Sequence, residues 1–75
     1  MLRPRLVHVG MRMRRQRDPQ IAGTIVLVTP GLIVWEADTL FTIEYRGKVY
    51  PAKTMRFATH QEVWQLLTPI RDEPR

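Results

Sequence analysis

Six arginines, Arg3, Arg5, Arg12, Arg14, Arg15 and Arg17, stand in the first seventeen residues with no acid among them. A guanidinium is always charged and presents a planar fork of donors that matches phosphate or carboxylate. The remaining residues carry six basic and seven acidic groups, so the net +5 of the chain comes from this first segment. Lys48, Lys53 and Arg56 are the downstream cations able to assist it. Three readings follow. Neutralising nucleic-acid phosphates releases counterions and gives salt-sensitive, sequence-independent affinity. An acidic protein surface would meet the same charge. The third reading is a solvated strand face in an arginine-biased chain, since arginine outnumbers lysine ten to two and serine and asparagine are absent.

Aromatic residues are the second chemistry. Trp35, Tyr45, Tyr50 and Trp64 could stack on bases or cage a methylated cation. Parity offers a plainer role, because Phe41 and Tyr45 alternate with Ile43, and Trp35 with Ile33, as core residues do. Trp64 borders a helical stripe, either as a lid on the core or as an exposed anchor.

Catalytic groups are sparse. The chain has no cysteine, which removes disulfides, thiolate nucleophiles and Cys-based zinc sites, and no serine nucleophile. His8 and His60 lack ligand spacing, so neither metal nor other cofactor is expected. His60 would open a helix, where the dipole disfavours its charge. Glu36, Asp38 and Glu44 could act as an acid–base set, or could offset the arginines. No glycine-rich phosphate loop occurs.

The elements that must position these groups are short. Val7, Val9, Met11 and Met13 alternate with His8, Gly10, Arg12 and Arg14, predicting a strand that points Arg12 and Arg14 the same way, with a bulge or bend at Gly10. Arg15 and Arg17 extend that row into a polar loop through Asp18-Pro19. Gly23–Thr29 reads as a strand buried on both faces. Pro30-Gly31 predicts a type II turn and hence a splayed hairpin. Leu32–Glu36 and Leu40–Tyr45 read as the third and fourth strands, separated by Ala37-Asp38-Thr39. Arg46-Gly47 then turns into Lys48-Val49-Tyr50, setting Ile43 opposite Tyr50 and Glu44 opposite Val49, with Pro51 at an edge or ending the pairing. Thr59 and Glu62 form a capping box. Val63, Leu66, Leu67 and Ile70 make the buried stripe of a helix over 60–67 that Thr68-Pro69 ends.

Gly10-Met11-Arg12-Met13-Arg14, a polar loop, then Gly23-Thr24-Ile25-Val26 resembles the start of SH3-like barrels of the Tudor and KOW type. Through the spacing on to Tyr50-Pro51 it also resembles the plasmid-borne type II dihydrofolate reductases. The resemblance spans residues 7 to about 57, omits the helix, and speaks to fold rather than function. Where those reductases carry a pore-lining Gln in a strand motif ending in Tyr, this chain has Lys48, which argues against reductase chemistry.

The expected fold is mainly β, a small five-stranded SH3-like barrel with a short C-terminal α-helix. Its parts would be a basic arm at 1–5, one domain over 6–70 and a flexible tail at 71–75. The expected function is a non-enzymatic, cytoplasmic binding module, encoded by a phage or plasmid. It would associate with DNA or RNA through the arginine-rich strand and loop. The alternative is an adaptor or inhibitor docking on an acidic host protein. No membrane span is expected. A chain this short also makes a homo-oligomer an open option.

Overall fold

A computed structural model describes residues 5–70. In chain order the elements are β1 (Arg12–Arg15), β2 (Ala22–Thr29), β3 (Leu32–Tyr45), β4 (Lys48–Phe57), α1 (His60–Leu66) and β5 (Leu67–Pro69). The fold is mainly β. All five strands pair antiparallel in one sheet of order β4-β3-β2-β1-β5, compatible with a small barrel.

Turn chemistry sets much of the register. Arg46 and Gly47 both take positive φ, 54° and 78°, as a two-residue hairpin turn matched to strand twist requires. Tyr45 therefore faces Lys48, Glu44 faces Val49 and Ile43 faces Tyr50, as expected. Hydrogen-bonded and non-bonded pairs alternate from the turn, so Pro51 opposite Thr42 falls at a non-bonded pair. Its missing N–H then faces the open edge, and the strand runs on through it to Phe57.

Four expectations about the strands are corrected. β2 is not buried on both faces: Val26 and Leu27 are 43% and 38% exposed. A bulge at Val26 switches the inward parity, so that Ile25 pairs with Trp35 while Val28 pairs with Ile33. An unbroken apolar run conceals that switch. The β2–β3 hairpin is also not splayed, for the ladder reaches Thr29 opposite Leu32, Gly31 takes φ 85°, and the Thr29 hydroxyl donates to the Leu32 carbonyl. The bulge adds the twist that such a turn lacks.

The third and fourth expected strands are one 14-residue strand. Ala37 is buried and keeps the chain extended; only pairing with β4 is interrupted, between Glu36 and Phe41. Lastly, the first strand is short. Gly10 bends the chain at φ 93°, and Val9 is left exposed.

The C-terminal element differs as well. Thr59 Oγ1 accepts from the Glu62 N–H, so Thr59 caps the helix as expected, while Glu62 Oε1 reaches back to the Ala58 N–H, one residue before the cap. The helix stops at Leu66, however, and Leu67–Pro69 becomes a strand beside β1. Val63 and Leu67 are fully buried while Leu66 is exposed. A helical stripe and a helix-to-strand switch both place Val63 and Leu67 inward, so periodicity could not separate them.

The core lies on one face of the sheet, where Met13, Ile25, Ile33, Trp35, Val63 and Leu67 are fully buried. Trp35 crosses β2 and donates its indole N–H to the Met13 carbonyl at 3.1 Å. It can do so because Gly23 lies between; a Cβ there would sit 2.7 Å from the indole and would collide with the Glu36 carbonyl. Beyond the Gly23–Ala37 pair, β3 is paired with β4 alone. Residues 41–45 and 48–52 thus form a two-stranded ribbon reaching past the core, Tyr45 lying about 14 Å beyond Phe41 at strand rise.

Candidate binding surface

The expected single row of arginines divides into three groups. Arg12 and Arg14 do share the outer, non-core face, as alternation requires. Arg12 is held there: its guanidinium makes a bidentate contact with Asp38 at 2.8 and 2.7 Å and donates to Thr24 Oγ1 at 3.0 Å. The Arg12 hydrogen bond and charge, with a further contribution from Lys53, hold the Asp38 carboxyl below its ordinary 3.8. Asp38 therefore offsets an arginine, the alternative to an acid–base role. Arg56, opposite Val34 on β4, faces the same outer side.

Arg5 forms the second group. Its guanidinium lies 4.0 Å from the centre of the Trp64 ring, and its carbonyl accepts the Trp64 indole N–H at 2.9 Å. Val7 N–H donates to His60 Nδ1 nearby. This end of the chain is strapped to the helix rather than free, so Arg5 does not belong to a loose arm. Arg3, the rest of the expected arm and the tail at 71–75 lie outside the described residues.

The third group is built around Arg15. It shares the parity of buried Met13, so it does not extend the Arg12–Arg14 row but points to the opposite face. There it lies 4.9 Å over the Phe41 ring and 3.5 Å from Asp18. Arg15, Asp18, Gln20, Ile21, Phe41 and Thr42 line an open cleft of about 250 Å³ where the β1–β2 loop meets the base of the ribbon. Arg17 is exposed on that loop.

The ribbon continues this surface. Directly opposed residues of an antiparallel pair lie on one face, so Phe41, Ala52, Ile43, Tyr50, Tyr45 and Lys48 line a single side. Phe41 is buried against Trp35 at 5.8 Å, whereas Tyr50 and Tyr45 are 43% and 58% exposed. Arg46 at the tip stacks on Tyr45 at 5.3 Å. Glu44 lies on the reverse side with Val49. Among the described residues, Arg17, Arg46 and Lys48 make no ion pair.

Of the four aromatic candidates, Tyr45 and Tyr50 are thus presented to solvent. Trp35 is completely buried, and Trp64 is half-buried under Arg5. Parity had grouped Tyr45 and Ile43 with the core, but nothing packs over the outer ribbon. In the sequence, Arg46 is legible as a turn former. The first residue of a primed two-residue hairpin turn takes positive φ and carries its side chain at the tip, so the Arg-Gly pair itself signals a cation there.

Among the described residues no three His, Asp or Glu side chains gather as a metal site would require. No described helix is long and apolar enough to cross a membrane. In comparisons with known proteins, no family model, curated protein or solved structure matches the chain.

Proposed function

We propose that this chain is a small, non-enzymatic, SH3-like module that binds nucleic acid with the ribbon face and the adjoining β1–β2 loop. One observation carries the reading. Exposed Tyr45 and Tyr50 share a face with Lys48, next to the Arg15–Phe41 stack, and Arg17 is exposed on the loop that carries the cleft. Aromatic rings beside cations provide stacking and phosphate neutralisation together. The last strand pairing with the first, with a helix just before it, supports the SH3-like assignment.

The test is fluorescence anisotropy of labelled oligonucleotides across a salt series. Affinity should fall steeply with salt, with a log–log slope of about −0.7 to −0.9 per neutralised phosphate. Absence of binding at low salt overturns the proposal.

A protein partner is the second reading, favoured by the exposed Ile43, Tyr45 and Tyr50 on one face of the ribbon. Such a patch beside basic groups suits an acidic protein with an apolar centre. Recovery of the same partner after nuclease treatment would favour it.

A further inference from the structure

We infer that the nucleic acid taken by this surface is a single strand with unstacked bases, not a duplex. The inference rests on the nucleic-acid reading above and narrows it.

The spacing of the ribbon side chains is the first support. Residues two apart on one strand face are separated by about 6.8 Å, roughly twice the 3.4 Å rise per nucleotide of a stacked strand. Ile43 and Tyr45 stand at that interval, with Tyr50 beside Ile43. Bases reach such a spacing only when the strand is drawn out of its stack. A duplex keeps its base faces inside and would leave Ile43, Tyr45 and Tyr50 with nothing to cover them.

The second support is what the ribbon lacks. A two-stranded ribbon fits the major groove, but it reads base edges there chiefly with several Arg, Lys, Asn or Gln side chains. The chain has no asparagine, and Lys48 is the one such polar cation on the tyrosine face of 41–45 and 48–52. The reverse side sets Glu44 beside Val49, and Thr42 beside Pro51. Glu44 would be driven toward a phosphate wall if the ribbon entered a groove.

Charge placement agrees. Arg15 over Phe41 at the base and Lys48 and Arg46 at the tip flank the tyrosines from two ends, a track for one backbone along the ribbon. Arg14 faces the outer side of the sheet with Arg12 and does not join them.

The experiment compares a labelled, non-self-complementary oligonucleotide of about 16 nucleotides, the upper end of small-barrel footprints, with its own duplex. Both are titrated with the whole chain at low salt. The single strand is expected to bind at least about tenfold more tightly. Tyr45→Ala and Tyr50→Ala should each weaken it by about tenfold, while Tyr45→Phe retains most of the affinity. Both tyrosines are exposed, and an unchanged tryptophan emission spectrum checks that the variants fold. Equal or tighter duplex binding overturns this inference while leaving the proposed function standing. A single-strand preference indifferent to both tyrosines also overturns it, because the strand then lies elsewhere. If neither probe binds, the proposed function itself fails.

Discussion

Trp35 on β3 hydrogen-bonds the backbone carbonyl of Met13 on β1 at 3.1 Å, reaching over the strand between them. The contact joins two strands that are not neighbours and closes the core around the largest fully buried side chain. It depends on Gly23 having no side chain. Gly23→Ala would press a methyl against the Glu36 carbonyl and the indole, and backbone cannot yield as a flexible side chain can. The expected loss is about 2–3 kcal/mol, the upper part of the overpacking range, read from urea denaturation followed by tryptophan fluorescence. A loss below about 0.5 kcal/mol, the scale of ordinary surface changes, would show that the indole does not cross there.

The two leucines at the end of α1 should behave differently despite equal size. Leu67 is fully buried and Leu66 is exposed. Leu67→Ala should cost about 2–4 kcal/mol as a core truncation, and Leu66→Ala less than about 1 kcal/mol as an exposed one. Thermal melts of the pair check this, and similar losses would contradict the helix-to-strand switch.

Acid should weaken the fold through Asp38. Its carboxyl is held below 3.8, chiefly by the Arg12 hydrogen bond, so the folded state binds that proton less readily than the unfolded chain. Stability from this pair is present above the ordinary carboxylate value and disappears as pH falls through the lowered folded value. Urea midpoints between neutral and strongly acidic pH should decline less in Asp38→Asn than in the parent. The variant should also be less stable at neutral pH, where the parent still holds its ion pair.

Charge reversals should separate the two faces of the sheet. Arg17→Glu or Lys48→Glu is expected to weaken oligonucleotide binding and lower the salt slope by about 0.7 for each phosphate contact removed. Arg14→Glu should change both far less, since Arg14 faces the outer side with Arg12. Anisotropy titrations at two salt concentrations read both quantities. Equal effects from all three would show that binding does not distinguish the two faces.

How much the sequence foretold follows from the range of each signal. The Arg46-Gly47 register and the Thr59 cap were legible because both depend on neighbouring residues alone. The unbroken basic run Arg14-Arg15 masks the change of face that strand alternation imposes on Arg15. The inward switch at Val26 left no mark in a run where every side chain is apolar. Tyr45 and Ile43 read as core because parity states which residues share a face, not whether anything covers that face. Covering depends on β2 ending its pairing at Ala37 while β3 goes on to Tyr45, a long-range fact.

The outer margin of β4 bears on how the protein behaves when concentrated. Two copies aligning antiparallel about Ala52 would oppose Lys48 to Arg56 and set each Pro51 against Lys53. Repulsion and the absent amide donor work together there, as on other guarded sheet edges. The chain can thus expose an aromatic ribbon while that register of its outer strand is disfavoured for pairing with a second copy.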